Sequence, residues 1–102
     1  MTARPQYLQL LVTMADLHQR KSAGYSGADN PDPWANFRRA ERIGVPASTG
    51  ALVRLLDKVS RVETLVASPQ SEQVGESIED TLIDLAAYSL IVVCLRREEA
   101  VP

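Results

Sequence analysis

The segment Glu76–Leu95, ESIEDTLIDLAAYSLIVVCL, decides how this chain is read. Glu76, Asp80 and Asp84 recur at every fourth position, which on a helix makes one acidic stripe. From Leu85 through Leu90 to Leu95 the same segment is apolar on nearly every face. Like charges four apart oppose a helix by roughly 0.2–0.5 kcal/mol per pair. The stripe therefore needs compensation, from cations on another helix, from a metal ion or from solvent. The apolar half needs cover on all its faces.

Working outward, Leu52, Leu55, Leu56, Val59, Val62 and Val66 recur at helical spacing over about 48–67, with Arg54, Asp57, Lys58 and Arg61 on the opposite face. Pro46, Ser48 and Thr49 mark its start, and Ser68-Pro69-Gln70-Ser71 ends it. The short connection makes the 48–67 and 76–97 helices antiparallel neighbours. Upstream, Asp32 can accept from the open amides of a helix over 33–43, with Pro33 at its first position and Gly44 as its stop. Trp34, Phe37 and Ile43 are expected to face inward. A first amphipathic helix at about 6–20 carries Leu8, Leu11, Met14, Ala15 and Leu17/His18 at helical spacing. His18, the only histidine, is expected at the surface or a boundary.

Between these helices, residues 21–32 hold two glycines, a proline and several Asp/Asn, which reads as a loop longer than the usual four to six residues. In it, Lys21 and Tyr25 could grip an anion and stack on a base, or be a solvated charge and a pin for the loop. With no strand signal of comparable strength, the expected fold is all-α. The expectation is one domain, 1–102, that is four-helix bundle-like and completes its core by oligomerising, at least as a dimer, with the last helix central.

Composition limits the functions further. A net charge of −2 gives no electrostatic case for non-specific nucleic-acid binding. A single cysteine, Cys94, sets aside a disulfide framework and a thiolate metal site, and is expected to be a buried small hydrophobe suited to a reducing compartment. The opening MTARPQYLQL lacks the apolar core of a signal peptide, and the apolar run is bounded by Asp84 and Arg96, too short to span a bilayer. No Gly-rich phosphate loop is present, and the lone His and lone Cys lie in different helices with no motif around either.

The chemistry thus rests on facing charges. Arg54, Lys58 and Arg61 share a stripe on one helix, and Glu76, Asp80 and Asp84 share one on its neighbour. They can form a ladder of interhelical salt bridges. They can also form a divided site, in which the carboxylates hold Mg²⁺ and the cations meet the phosphates it bridges.

The order DPWANFRRAERIGVP (32–46), GALVRLLDKVSRV (50–62) and ESIEDTLIDLAAYSLIV (76–92) resembles small phage and prophage proteins described as nucleotide-modification-associated domains. These are similar in turn to the all-α nucleoside triphosphate pyrophosphohydrolases, the MazG-like and dimeric dUTPase superfamily. The resemblance spans roughly 21–95 and implies a helical bundle with a Mg²⁺-assisted nucleotide site. It implies Glu76 or Glu79, Asp80 and Asp84 on the metal side, with Glu79 and Asp80 as the catalytic acids. Lys21, Arg54, Asp57 and Lys58 would then lie near the nucleotide. The chain departs from the pattern twice. Arg54 and Asp57-Lys58 stand where the superfamily supplies a pair of glutamates, and Gly24 stands where the phage proteins carry an Asp before the tyrosine.

Three functions are therefore expected to compete. One is Mg²⁺-dependent cleavage of a nucleoside triphosphate. Another is an oligomeric sponge that sequesters a cyclic or signalling nucleotide against host defence, with Lys21, Tyr25, Arg54, Lys58 and Arg61 dominant. The third is an interaction module whose charges are only ion pairs. In the first two the expected setting is the cytoplasm of a bacterial host.

Overall fold

A computed structural model describes residues 3–26, 32–68 and 77–102, the side chains of 3, 4 and 20–26 excepted. The regular elements among the described residues are all helical, with no strand among them. Helix α1 spans Ala3–Ser26, a 3₁₀ segment spans Arg38–Ile43, α2 spans Ala47–Ala67 and α3 spans Ile78–Glu99. The chain divides into two compact units, Met1–Asn36 and Phe37–Pro102, which are described separately.

In the first unit, α1 runs on to Ser26, past Lys21 where the sequence suggests a loop. A glycine inside a helix costs only about 1 kcal/mol relative to alanine, and no proline lies between Pro5 and Pro31, so Gly24 does not end it. The side chains of Lys21 and Tyr25 lie outside the described residues. Met14, Leu17 and His18 are half-buried, while Tyr7, Leu8, Leu10 and Val12 are exposed. The His18 and Trp34 rings lie 5.2 Å apart, tilted by 36°. Asp32 does accept from the residues just after it: Trp34 N–H donates to its Oδ1 (3.0 Å) and Ala35 N–H to its carbonyl (3.3 Å). From Pro33 the backbone continues as a succession of turns, not as the first turn of an α-helix.

In the second unit, the expected 33–43 helix is reduced to the 3₁₀ segment. Its end is as expected, since Gly44 adopts the left-handed conformation (φ 78°) and donates to Glu41 O, with Val45 N–H on Ala40 O. The segment lies close over the start of α2. A Cβ on Gly50 would sit 3.0 Å from Ala40 Cβ, so the glycine sets the approach. Phe37 is buried there, its ring edge-on to Tyr88 at 5.8 Å. Ile43 does not face inward: it is 80% exposed, because it occupies the last position of the segment, beside the reversal at Gly44.

Helices α2 and α3 pack as an antiparallel pair. Ser48 at the start of α2 meets Glu99 at the end of α3, and Lys58 further along α2 meets Asp84 further back along α3. The seam follows the three–four spacing of a coiled coil. On α2 it runs through Ser48, Ala51, Leu55, Lys58, Val62 and Leu65, all buried or half-buried. On α3 it runs through Thr81, Asp84, Tyr88, Ile91 and Leu95. Thr81 and Leu95 are the largest wholly buried side chains. Thr81 satisfies its hydroxyl on Ser77 O (3.1 Å), which lets a polar residue occupy that place.

Cys94 is exposed, contrary to the expectation from its apolar surroundings. It is one residue from the seam position Leu95, a rotation of about 100° away from α2. Among the described residues, no helix is long and apolar enough to cross a membrane.

Candidate functional site

Of the acidic stripe of α3, Asp80 and Asp84 lie among the described residues, and each sits where its charge is offset. Ser77 caps the helix, its Oγ accepting from the Asp80 amide at 3.0 Å. Glu79 and Asp80 then occupy the first turn, where the helix dipole favours negative charge. Asp84, one turn on, is met from α2: Lys58 Nζ lies 3.3 Å from its Oδ2. The two side chains keep 27% and 17% of their surface, so the pair is half-buried in the seam. Glu76 lies outside the described residues.

Around this pair the helical repeat sets the neighbours. Arg54 and Arg61 lie four residues before and three after Lys58, on the same side of α2. Asp80 lies four before Asp84 on α3. Because the helices run antiparallel, Arg61 falls toward the Asp80 end of the seam and Arg54 toward Tyr88. Arg54, Arg61, Glu79 and Asp80 are exposed. Asp57 is also exposed, but is rotated by about 100° from Lys58, away from the seam. The structure thus joins Lys58 with Asp84 and arrays Arg54, Arg61 and Asp80 along the same flank, while Asp57 stands apart.

At the other end of the seam is a contact that the sequence pattern did not reveal. The first turn of α2 has no side-chain cap of its own, since Pro46 precedes it. Glu99 supplies one from the end of α3: the Ser48 amide donates to its Oε2 (3.0 Å) and the Ser48 hydroxyl to its Oε1. The Ser48 hydroxyl, then its amide, hold the Glu99 carboxyl below its usual pKa against the opposing effect of desolvation, with Arg96 and Arg38 assisting. Beside it, Arg38 from the 3₁₀ segment donates to Glu98 at 2.8 Å. One signal was present in the sequence. Two acids in the last turn of a helix oppose its dipole, so each needs a partner from elsewhere.

Among the described residues no three His, Cys, Asp or Glu side chains gather to hold a metal ion. Asp84 already faces an ammonium group where a metal would sit. No protein-family model matches this chain, and neither a curated protein nor a solved structure is detectably similar to it.

Proposed function

We propose that this is a phage-type nucleotide-binding protein that holds its ligand without hydrolysing it, as an assembly of at least two copies with a bundled core. The single observation that supports this most is the half-buried Lys58–Asp84 pair with Arg54 and Arg61 on its flank. A phosphate approaching there would meet two guanidiniums, whose planar forks suit phosphate oxygens, and an ammonium that can turn from carboxylate to phosphate. The ligand class is a phosphorylated nucleotide, cyclic or signalling, sequestered in the host cytoplasm. Lys21 and Tyr25 remain in the proposal on sequence grounds, for phosphate and base.

A second reading is Mg²⁺-dependent pyrophosphohydrolysis through Glu79 and Asp80. It draws on the exposure of both carboxylates in the first turn of α3. A third is an interaction module in which Lys58–Asp84 is only a tie between helices.

Thermal unfolding with a panel of nucleotides, with and without Mg²⁺, separates the three when product formation is followed in parallel. A ligand at 100 times its Kd adds about 2.7 kcal/mol of stability. Stabilisation without product is the expected result. Product that disappears in Asp80→Ala would move the assignment to hydrolysis, and silence in both assays would leave the interaction module.

A further inference from the structure

Helix α3 has a second stripe, diametrically opposite the seam. Glu79, Leu82, Ala86, Leu90, Val93 and Arg97 succeed one another at spacings of three or four residues, and all are exposed. Leu82, Leu90 and Val93 keep 46%, 54% and 44% of their surface. Glu79 and Arg97 are separated by five full turns, about 27 Å, so they close the stripe at the same azimuth with opposite charge.

We propose that this outer face of α3 docks on the same face of a second copy of the chain, the two helices antiparallel. Charge complementarity selects both the occupant and the direction. Antiparallel docking sets Glu79 of each copy against Arg97 of the partner subunit. Parallel docking would set like charges together at both ends. The antiparallel register centred near Tyr88 also matches size, with Ala86 opposite Leu90 of the partner subunit and Leu82 opposite the partner's Val93. Small against large is how facing helix ridges interdigitate. A two-fold axis through that centre repeats every contact and closes the assembly, leaving no complementary edge for growth. The proposal rests on the assembly named in the proposed function and says nothing of its ligand: a monomer would remove that assembly, while nucleotide binding on the Lys58 flank is read separately by titration.

Sedimentation equilibrium of the full chain, from micromolar to hundreds of micromolar, tests it. The native chain is expected to self-associate. Leu90→Glu is expected to sediment as a monomer with an unchanged helical circular-dichroism spectrum, since Leu90 lies off the seam. Glu79→Arg and Arg97→Glu are each expected to weaken association by on the order of tenfold, because each creates two like-charged contacts per dimer. The double variant restores it. The charge variants keep the test decisive even if Leu90→Glu misfolds. A native chain monomeric throughout would overturn the proposal. So would an assembly indifferent to Leu90→Glu, or a double variant no better than either single.

Discussion

The two ends of the α2–α3 seam treat their charges differently. At the end where α2 begins and α3 finishes, each carboxylate is committed to structure. Glu99 caps α2 through Ser48, and Glu98 holds Arg38, over a floor of Ala47, Ala51, Phe37 and Leu95. Toward the other end, one half-buried pair, Lys58–Asp84, is succeeded by exposed Arg61 and Asp80, with exposed Arg54 on its other side. The first end needs its charges to exist as a fold. The second arrays Arg54, Lys58 and Arg61 along one flank beside Asp80 and Asp84, with the two arginines exposed, and we propose that binding chemistry resides there. Charged residues on neighbouring helices therefore differ in kind, depending on whether a backbone end consumes them.

The difference can be broken most severely at the committed end. Leu95→Ala removes a wholly buried side chain, and urea unfolding is expected to show a loss of about 2–5 kcal/mol. The same change at exposed Leu90, measured below the concentration of self-association, is expected to stay within about 0.5 kcal/mol.

Glu99→Gln comes next, with an expected loss of about 1 kcal/mol, the size of a helix cap. The pH dependence stems from its lowered pKa. The folded state holds Glu99 ionised to lower pH than the unfolded chain does, so its contribution is fully present above the ordinary value of about 4.3. It is lost as pH falls through the folded value. A native chain and Glu99→Gln compared by thermal unfolding should differ at pH 7 and converge in acid; a difference that persists unchanged in strong acid would contradict the capping role.

The Lys58–Asp84 pair sharpens the contrast at smaller amplitude. Asp84→Leu alone leaves a half-buried ammonium without its carboxylate and is expected to cost about 1 kcal/mol. Adding Lys58→Met should recover most of that, because two apolar groups in a seam need no partner. A double-mutant cycle by chemical unfolding reads the coupling. Arg61→Ala sits at the bottom of the scale, within about 0.5 kcal/mol of the native stability. Its effect is expected on ligand binding instead.

Much of the fold was legible in the residues themselves. The three–four spacing of Leu52 to Val66 and the run from Glu76 to Leu95 located α2 and α3 to within about two residues, and their short connection gave the antiparallel pairing. The two charged stripes were expected to face each other, and Lys58 and Asp84, one from each, do meet; which members pair was settled only by the register of the packed helices. The 3₁₀ segment was harder, since Phe37 to Ile43 carries helical residues but must turn closely over Gly50 before Gly44 reverses it. The length of α1 was missed because glycine and serine content argued for a loop, where a continuous helix was merely weakened. For Glu99 the sequence signalled that an acid in the last turn needs a partner, but not which one. Its partner is Ser48, far away in sequence, and no local pattern reports a cap supplied from another helix.

The central claim is that the cationic flank beside Lys58 and Asp84 binds a phosphorylated nucleotide and leaves it intact. Isothermal titration calorimetry measures it most directly, with the native chain, Arg54→Ala/Arg61→Ala and Asp80→Ala titrated with one nucleotide that stabilises the native protein. The account predicts saturable binding to the native chain and to Asp80→Ala without Mg²⁺, and at least tenfold weaker binding to the arginine double variant, the equivalent of about 1.4 kcal/mol. Binding that needs Mg²⁺ and Asp80, or that ignores the loss of both arginines, would contradict it.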